Sequence, residues 1–162
     1  MIRKASLADL EQVLSVERAG FPSKDAYNRR QFRRILSPTA QGIVQVDEEA
    51  GELRGLIALR WRKGSRVGSV DDLVVRPEHR GKGIGRALLE AGAAWAIRRG
   101  LQTLSVEVRT TNVPARTLYE SSGFTLHKLL KDYYGTRQHG VRLRKTLGRS
   151  WLRTRDAGKH GK

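Results

Sequence analysis

Apolar positions change period several times along the chain, and each change marks an element. Ile2 to Lys4 reads as a short strand. Ser6 then opens a helix, with Asp9 three residues on as a variant capping box, and Leu7, Leu10, Val13 and Leu14 recur at helical spacing up to Gly20. A second helix is expected from about Ala26 to Leu36, with Phe32, Ile35 and Leu36 inward and Arg29, Arg30, Arg33 and Arg34 on the rest. Ser37-Pro38-Thr39 stops it. Three strand-like runs follow: Ile43–Val46, Leu53–Trp61 and Ser69–Val75. The turns between them fall at residues 47–52 and at Lys63-Gly64-Ser65, and Arg76-Pro77 ends the third. This is the pattern of an antiparallel meander.

A long helix is expected from Ile84 to about Arg99, with Ile84, Leu88, Ala91 and Trp95 inward and Gly100 as its stop. Leu104–Arg109 alternates cleanly and puts Glu107 on the polar side of a strand. Asn112 caps a short helix that has Pro114 in its first turn and Gly123 at its end. Phe124–Leu130 and Val141–Leu147 read as final strands. The order is strand, two helices, three strands, helix, strand, helix, two strands. That is a mixed α/β domain over residues 1–147 with no internal repeat.

Composition narrows the chemistry. With 162 residues the chain is long enough to bury one sizeable core. It has no Cys, which excludes disulfides, thiolate catalysis and a cysteine metal site. The histidines at 79, 127, 139 and 160 show no metal-ligand spacing, and no metal is expected. No apolar stretch resembles a signal segment or a spanning helix, so a soluble, cytoplasmic protein with no membrane partner is expected. The formal net charge is +16 and it is uneven: from Leu126 onward 11 basic residues face two acidic ones. Residues 148–162 form a basic tail. Such a field suits ribosome or RNA contact through phosphate neutralisation, or simply keeps the chain soluble.

The densest chemistry lies in Arg80-Gly81-Lys82-Gly83-Ile84-Gly85-Arg86, between the apolar Leu73-Val74-Val75 and the long helix. Glycines at alternate positions leave backbone N–H groups uncovered where a helix begins. Those first amides lack partners and carry the positive end of the dipole. A diphosphate fits there, with Arg80, Lys82 and Arg86 adding charge. Taken by itself, the same stretch also reads as an exposed basic loop.

Three blocks together resemble the GCN5-related N-acetyltransferase (GNAT) superfamily: Asp72-Leu73-Val74-Val75-Arg76-Pro77, Arg80-Gly81-Lys82-Gly83-Ile84-Gly85, and Asn112 followed by Tyr119-Glu120-Ser121-Ser122-Gly123-Phe124. The resemblance covers residues 1 to about 147. It implies a largely antiparallel sheet of six or seven strands, flanked by four helices, with splayed central strands. Phe21-Pro22, Glu107-Val108-Arg109 before Asn112, and Tyr133-Tyr134-Gly135 further resemble ribosomal-protein-alanine and archaeal N-terminal acetyltransferases.

The resemblance implies acetyl-CoA as co-substrate and direct attack of an amine on its thioester. Residues 80–86 would hold the diphosphate, Leu73, Val74 and Val75 the pantetheine arm, and Asn112 a further part of the coenzyme. Glu107 would take the amine's proton, directly or through water, and Tyr119 would protonate the leaving thiolate. Phe21, Pro22, Tyr133 and Tyr134 would flank a peptide N-terminus. A protein α-amine is therefore the expected acceptor, with a lysine or small amine as the alternative, and a non-enzymatic ribosome- or nucleic-acid-binding protein as a more distant one.

Other residues have plainer readings. Glu107 would serve equally as an exposed acid paired with a neighbour, and Tyr119 as core packing. Glu17 continues the first helix's apolar stripe and is expected to reach solvent from the helix end. Asp71 and Asp72 fit either a cationic amine or a salt bridge, and His79 a solvated loop.

Overall fold

The computed structural model describes residues 1–20 and 26–148. Seven strands and four α-helices realise the expected α/β fold, and every strand pair whose register is defined is antiparallel. The chain forms two compact units. One contains Met1–Lys63 and Ser69–Gly92. The other contains Gly64–Gly68 and the described residues from Ala93 onward.

In the first unit β1 (Ile2–Lys4), β2 (Gly42–Glu49), β3 (Glu52–Trp61) and β4 (Val67–Val75) lie side by side in chain order. β3 is buried on both faces from Gly55 to Leu59, so it reads as a continuous apolar run rather than an alternating one. One face packs Leu56 and Ala58 with Val13, Val16, Phe32 and Ile35 from α1 (Leu10–Gly20) and α2 (Arg29–Ile35). The other carries the first turns of α3 (Ile84–Arg99), where a Cβ on Gly92 would stand 3.0 Å from Ile57 Cδ1. The buried stripe of α3 accordingly runs through Leu88, Leu89, Gly92, Ala93 and Ala96. The expected Ala91 and Trp95 are only half-buried.

Two other expectations change. Leu7 lies in a 3-10 turn, Leu7–Asp9, ahead of α1, and is exposed instead of joining the core. The acidic stretch after Val46 is strand rather than turn. β2 continues to Glu49, and the reversal is only Ala50-Gly51, both at positive φ, which suits the twist of a two-residue hairpin. Asp47 is tolerated there because Arg54 Nε donates to it at 2.6 Å.

The second unit orders β5 (Thr103–Arg109), β7 (Gly140–Thr146) and β6 (Thr125–Leu130), with α4 (Val113–Ser121) between β5 and β6 in sequence. Asn112 caps α4 as expected, its Oδ1 accepting from Ala115 N–H at 3.2 Å. Gly123 takes φ +94° just beyond the helix. Phe21, Pro22 and the tail from Arg149 lie outside the described residues.

Candidate active site

In the first unit β4 alternates Val70, Asp72 and Val74 inward with Asp71, Leu73 and Val75 half-buried. A 3-10 turn, Pro77–His79, follows, and then the glycine loop. Gly81 and Gly83 stand at φ +78° and +81°, a region L-residues rarely enter, and nothing lies within 4 Å of where a Cβ would project from either. α3 begins at Ile84, and Ala87 N–H donates to Gly83 carbonyl at 3.0 Å, which makes Gly83 the cap. The amides of Ile84, Gly85 and Arg86 therefore have no acceptor within the helix. Open backbone, a dipole end, and the exposed Arg80, Lys82 and Arg86 fit a diphosphate.

The loop is braced rather than loose. Arg80 Nε donates to Val75 carbonyl at 3.2 Å, and Arg76 donates to Leu53 carbonyl at 2.8 Å and to Ser15 Oγ at 2.9 Å. His79, expected in solvent, is half-buried: Nδ1 lies 3.2 Å from Lys82 Nζ and Nε2 3.6 Å from Glu52. Glu52, Glu78 and His79 thus come within 4.8 Å of one another, but the two acids are exposed, and His79 and Glu52 already act as struts of the loop.

In the second unit the register of β5 on β7 sets Glu107 directly opposite Arg142. The Arg142 guanidinium donates to Glu107 Oε1 twice, at 2.7 Å from Nη2 and 3.2 Å from Nε. Tyr133 is half-exposed, and the neighbouring Glu107 carboxylate, with partial burial, holds its phenol above its ordinary pKa. The expected base and the expected peptide loop therefore form one cluster with Arg142. The register that matches Glu107 to Arg142 is invisible in an alternating strand, so Arg142 carried no sequence signal.

Tyr134 has a different part from Tyr133. Its ring meets Tyr133 edge-on at 5.0 Å, lies 4.3 Å from the Arg109 guanidinium, and packs on Gly140, where a Cβ would come 2.8 Å from Tyr134 Cε2. The turn between them is closed by its own bonds. Tyr134 N–H donates to Gln138 carbonyl at 3.0 Å, Asp132 N–H to His139 Nδ1 at 2.9 Å, and Arg137 N–H to Asp132 Oδ1 at 2.7 Å. Asp132 and Arg137 both adopt positive φ, a backbone cost that recurs where chains hold binding loops in place. Tyr119 is 5% exposed, and its ring meets Phe124 edge-on at 5.3 Å.

Three further acids complete the first unit's polar chemistry. Asp71 is a salt bridge, as one of its two readings has it: Arg60 and the Tyr27 hydroxyl both donate to Oδ2, and Ser69 Oγ donates to Oδ1 at 2.8 Å. Glu17 does not reach solvent. It is 1% exposed on α1, and it accepts Tyr27 N–H at 2.9 Å. Asp72 is 8% exposed, and burial first, then the neighbouring Glu17, hold its carboxyl well above the ordinary carboxylate range. The stripe spacing of Glu17 on α1 was the available signal. Its burial follows because residue 17 continues the face that carries Val13 and Leu14 into the core.

A glycine loop with open backbone lies between β4 and α3, on the order of elements expected of an acetyltransferase fold. The chain belongs to the acetyltransferase (GNAT) family, whose model matches residues 7–124. It is 41% identical over 88 residues to streptothricin acetyltransferase of Escherichia coli, covering 53% of this chain and 49% of that protein. It is 42% identical over 65 residues to the ribosomal protein bS18-alanine N-acetyltransferase of Escherichia coli K12, covering 40% of this chain and 44% of that one. These matches span about half the length of either relative. The fold matches the crystal structure of the ribosomal-protein-S18-alanine N-acetyltransferase from Escherichia coli with a TM-score of 0.81, at 22% identity over 91% of this chain and 94% of that one. No helix among the described residues is long and apolar enough to cross a membrane.

Proposed function

We propose that the protein transfers the acetyl group of acetyl-CoA to the α-amine at a protein N-terminus. The observation that carries the reading is the cluster of Glu107, Tyr133 and Arg142, where a carboxylate meets the loop expected to receive a peptide. The membership of the GNAT family supports acetyl transfer, and the relative named for a ribosomal-protein alanine supports the acceptor class.

In this reading the loop 80–86 binds the coenzyme's diphosphate through backbone amides, and Leu73, Val74 and Val75 pair with its extended arm as an added strand would. Asn112 serves as cap and coenzyme contact at once. An α-amine, with a pKa near ~8, loses its proton far more readily at neutral pH than a lysine near ~10.4. Glu107 accepts that proton, directly or through water, and Arg142 and Tyr133 fix the carboxylate's direction. The amine adds to the thioester carbonyl, the tetrahedral species expels coenzyme A thiolate, and the Tyr119 hydroxyl donates the proton that the thiolate takes. Phe21 and Pro22 would line the peptide's entry with Tyr133 and Tyr134. The basic tail offers ribosome or RNA contact.

Replacing Glu107 by Gln is expected to lower kcat about 10²-fold or more, the usual scale for losing a general base, and to leave the acetyl-CoA Kd within twofold. Unchanged turnover on a panel of free-N-terminus peptides, read by mass spectrometry, would remove Glu107 from the mechanism. The 41% identity to streptothricin acetyltransferase favours a second reading, a small cationic amine as acceptor, and a streptothricin arm in the same panel separates the two.

A further inference from the structure

The turn that carries Tyr133 and Tyr134 is fastened at its base by a histidine. His139 Nδ1 accepts the Asp132 N–H at 2.9 Å, so one bond ties the residue before the tyrosines to the residue before Gly140. The backbone of His139 is anchored in turn to the sheet. Its carbonyl accepts Thr110 N–H at 3.0 Å and Thr110 Oγ1 at 3.2 Å, just past the end of β5. The side chain therefore links the sheet to a turn that is strained at Asp132, φ +53°, and at Arg137, φ +59°.

That bond fixes the state of the ring. A backbone N–H can only donate, so Nδ1 must present its lone pair and the ring's proton sits on Nε2. A second proton, on Nδ1, would set N–H against N–H and break the bond. The cation also has a competing partner, because Asp132 Oδ1 lies 3.6 Å from Nδ1. That oxygen already accepts Arg137 N–H at 2.7 Å, the second clasp of the turn. One proton thus removes the first clasp and competes for the second. The His139 and Asp132 side chains are 44% and 47% exposed, so solvent can deliver it. The charges around the ring come from two elements. The turn contributes Lys131, Asp132 and Arg137, and β5 contributes Arg109, opposite Gly140, whose guanidinium is engaged by Gln138 Oε1 and the Tyr134 ring.

We propose that His139 is a positioning residue for the acceptor, and that only its neutral, Nε2-protonated ring holds Tyr133 and Tyr134 in place for an incoming amine. This rests on the acceptor role proposed above for the two tyrosines. The clasp is complete while the ring is neutral. Acceptor binding therefore weakens as pH falls through the range in which imidazole gains its second proton. The chemical step is spared, because Arg142 holds Glu107 by bonds that do not pass through the turn.

Two variants test the clasp. His139→Asn places an amide oxygen where Nδ1 stands, an acceptor that does not titrate, and His139→Leu leaves no acceptor. Steady-state kinetics with an alanine-led hexapeptide would run between about pH 8 and about pH 5. The amine and Glu107 are common to all three proteins, so the KM ratios isolate residue 139. The wild-type KM should match that of His139→Asn at the alkaline end and exceed it about fivefold at the acid end, the scale of one net hydrogen bond. His139→Leu should show a KM raised about fivefold throughout. Neither kcat nor the acetyl-CoA Kd should differ by more than twofold among the three. A ratio of wild type to His139→Asn that stays flat overturns the proposal, as does a wild-type KM for His139→Leu at the alkaline end. Nitrogen NMR that finds the His139 proton on Nδ1 at alkaline pH overturns it as well. Peptide acetylation with flat KM ratios defeats this inference alone, whereas no peptide acetylation by the wild type defeats the acceptor reading and this inference with it.

Discussion

Glu107 and the buried acids Glu17 and Asp72 stand in opposite surroundings. Glu107 is about a third exposed on β5, takes two bonds from the Arg142 guanidinium, and neighbours the Tyr133 hydroxyl. Glu17 and Asp72 are buried on α1 and β4, Glu17 accepts Tyr27 N–H, and no salt bridge among the described residues reaches either acid. The role proposed for Glu107 needs a fixed direction and access to water, with its charge balanced by an adjacent cation. Asp72, buried beside another acid, is instead held well above the ordinary carboxylate range. The same side-chain chemistry behaves differently because burial and partners set it.

The largest expected effect on this contrast is in stability against pH. The pKa of Asp72 is raised by folding, so above the unfolded carboxylate's value the native state holds a proton that the unfolded chain has released. The stabilisation from this group is complete below the ordinary carboxylate range and is lost as pH rises through the folded value, at a slope approaching ~1.4 kcal/mol per pH unit. Chemical denaturation of wild type and Asp72→Asn at successive pH values checks it. A wild-type slope no steeper than the variant's across that window would mean that folding does not raise the Asp72 carboxyl.

A smaller effect is expected at the balanced site. Arg142→Met removes the guanidinium that orients Glu107, and kcat should fall about tenfold with the acetyl-CoA Kd unchanged, a step of ~1.4 kcal/mol. A rise in kcat would show instead that Arg142 holds the carboxylate away from the amine. The smallest is Tyr133→Phe. The ring and its edge contact with Tyr134 stay, the hydroxyl beside Glu107 goes, and kcat/KM for a peptide acceptor should fall about threefold, the scale of one net polar interaction.

Local signals in the chain were enough for much of the fold. The bounds of α3 from Ile84 to Arg99, the Asn112 cap and the Gly123 stop all follow from periodicity and turn chemistry, and the structure reproduces them. Glycine spacing between a strand and a helix likewise marks the loop that the structure leaves open at Gly81 and Gly83. What stayed hidden depends on register and tertiary burial. Arg142 meets Glu107 only through the β5–β7 pairing, and no feature of Val141–Leu147 distinguishes it from Arg144. Glu17 looks like a helix-end acid until its partner on β4, 55 residues away, is in place. Asp47 and Glu48 read as a turn because charge suggests solvent, yet Arg54 and Arg3 supply the counter-ions that let the strand continue.

Gly140 has a consequence for how such proteins diversify and how they are engineered. The tyrosine turn rests on a position outside itself: Tyr134 lies where any side chain at residue 140 would intrude, with Arg109 of β5 stacked on its ring. A transplant of residues 131–139 into a related scaffold would carry the tyrosine turn without its seat. Exchange of acceptor preference between relatives is therefore expected to travel as a set of loop, glycine and arginine inherited together.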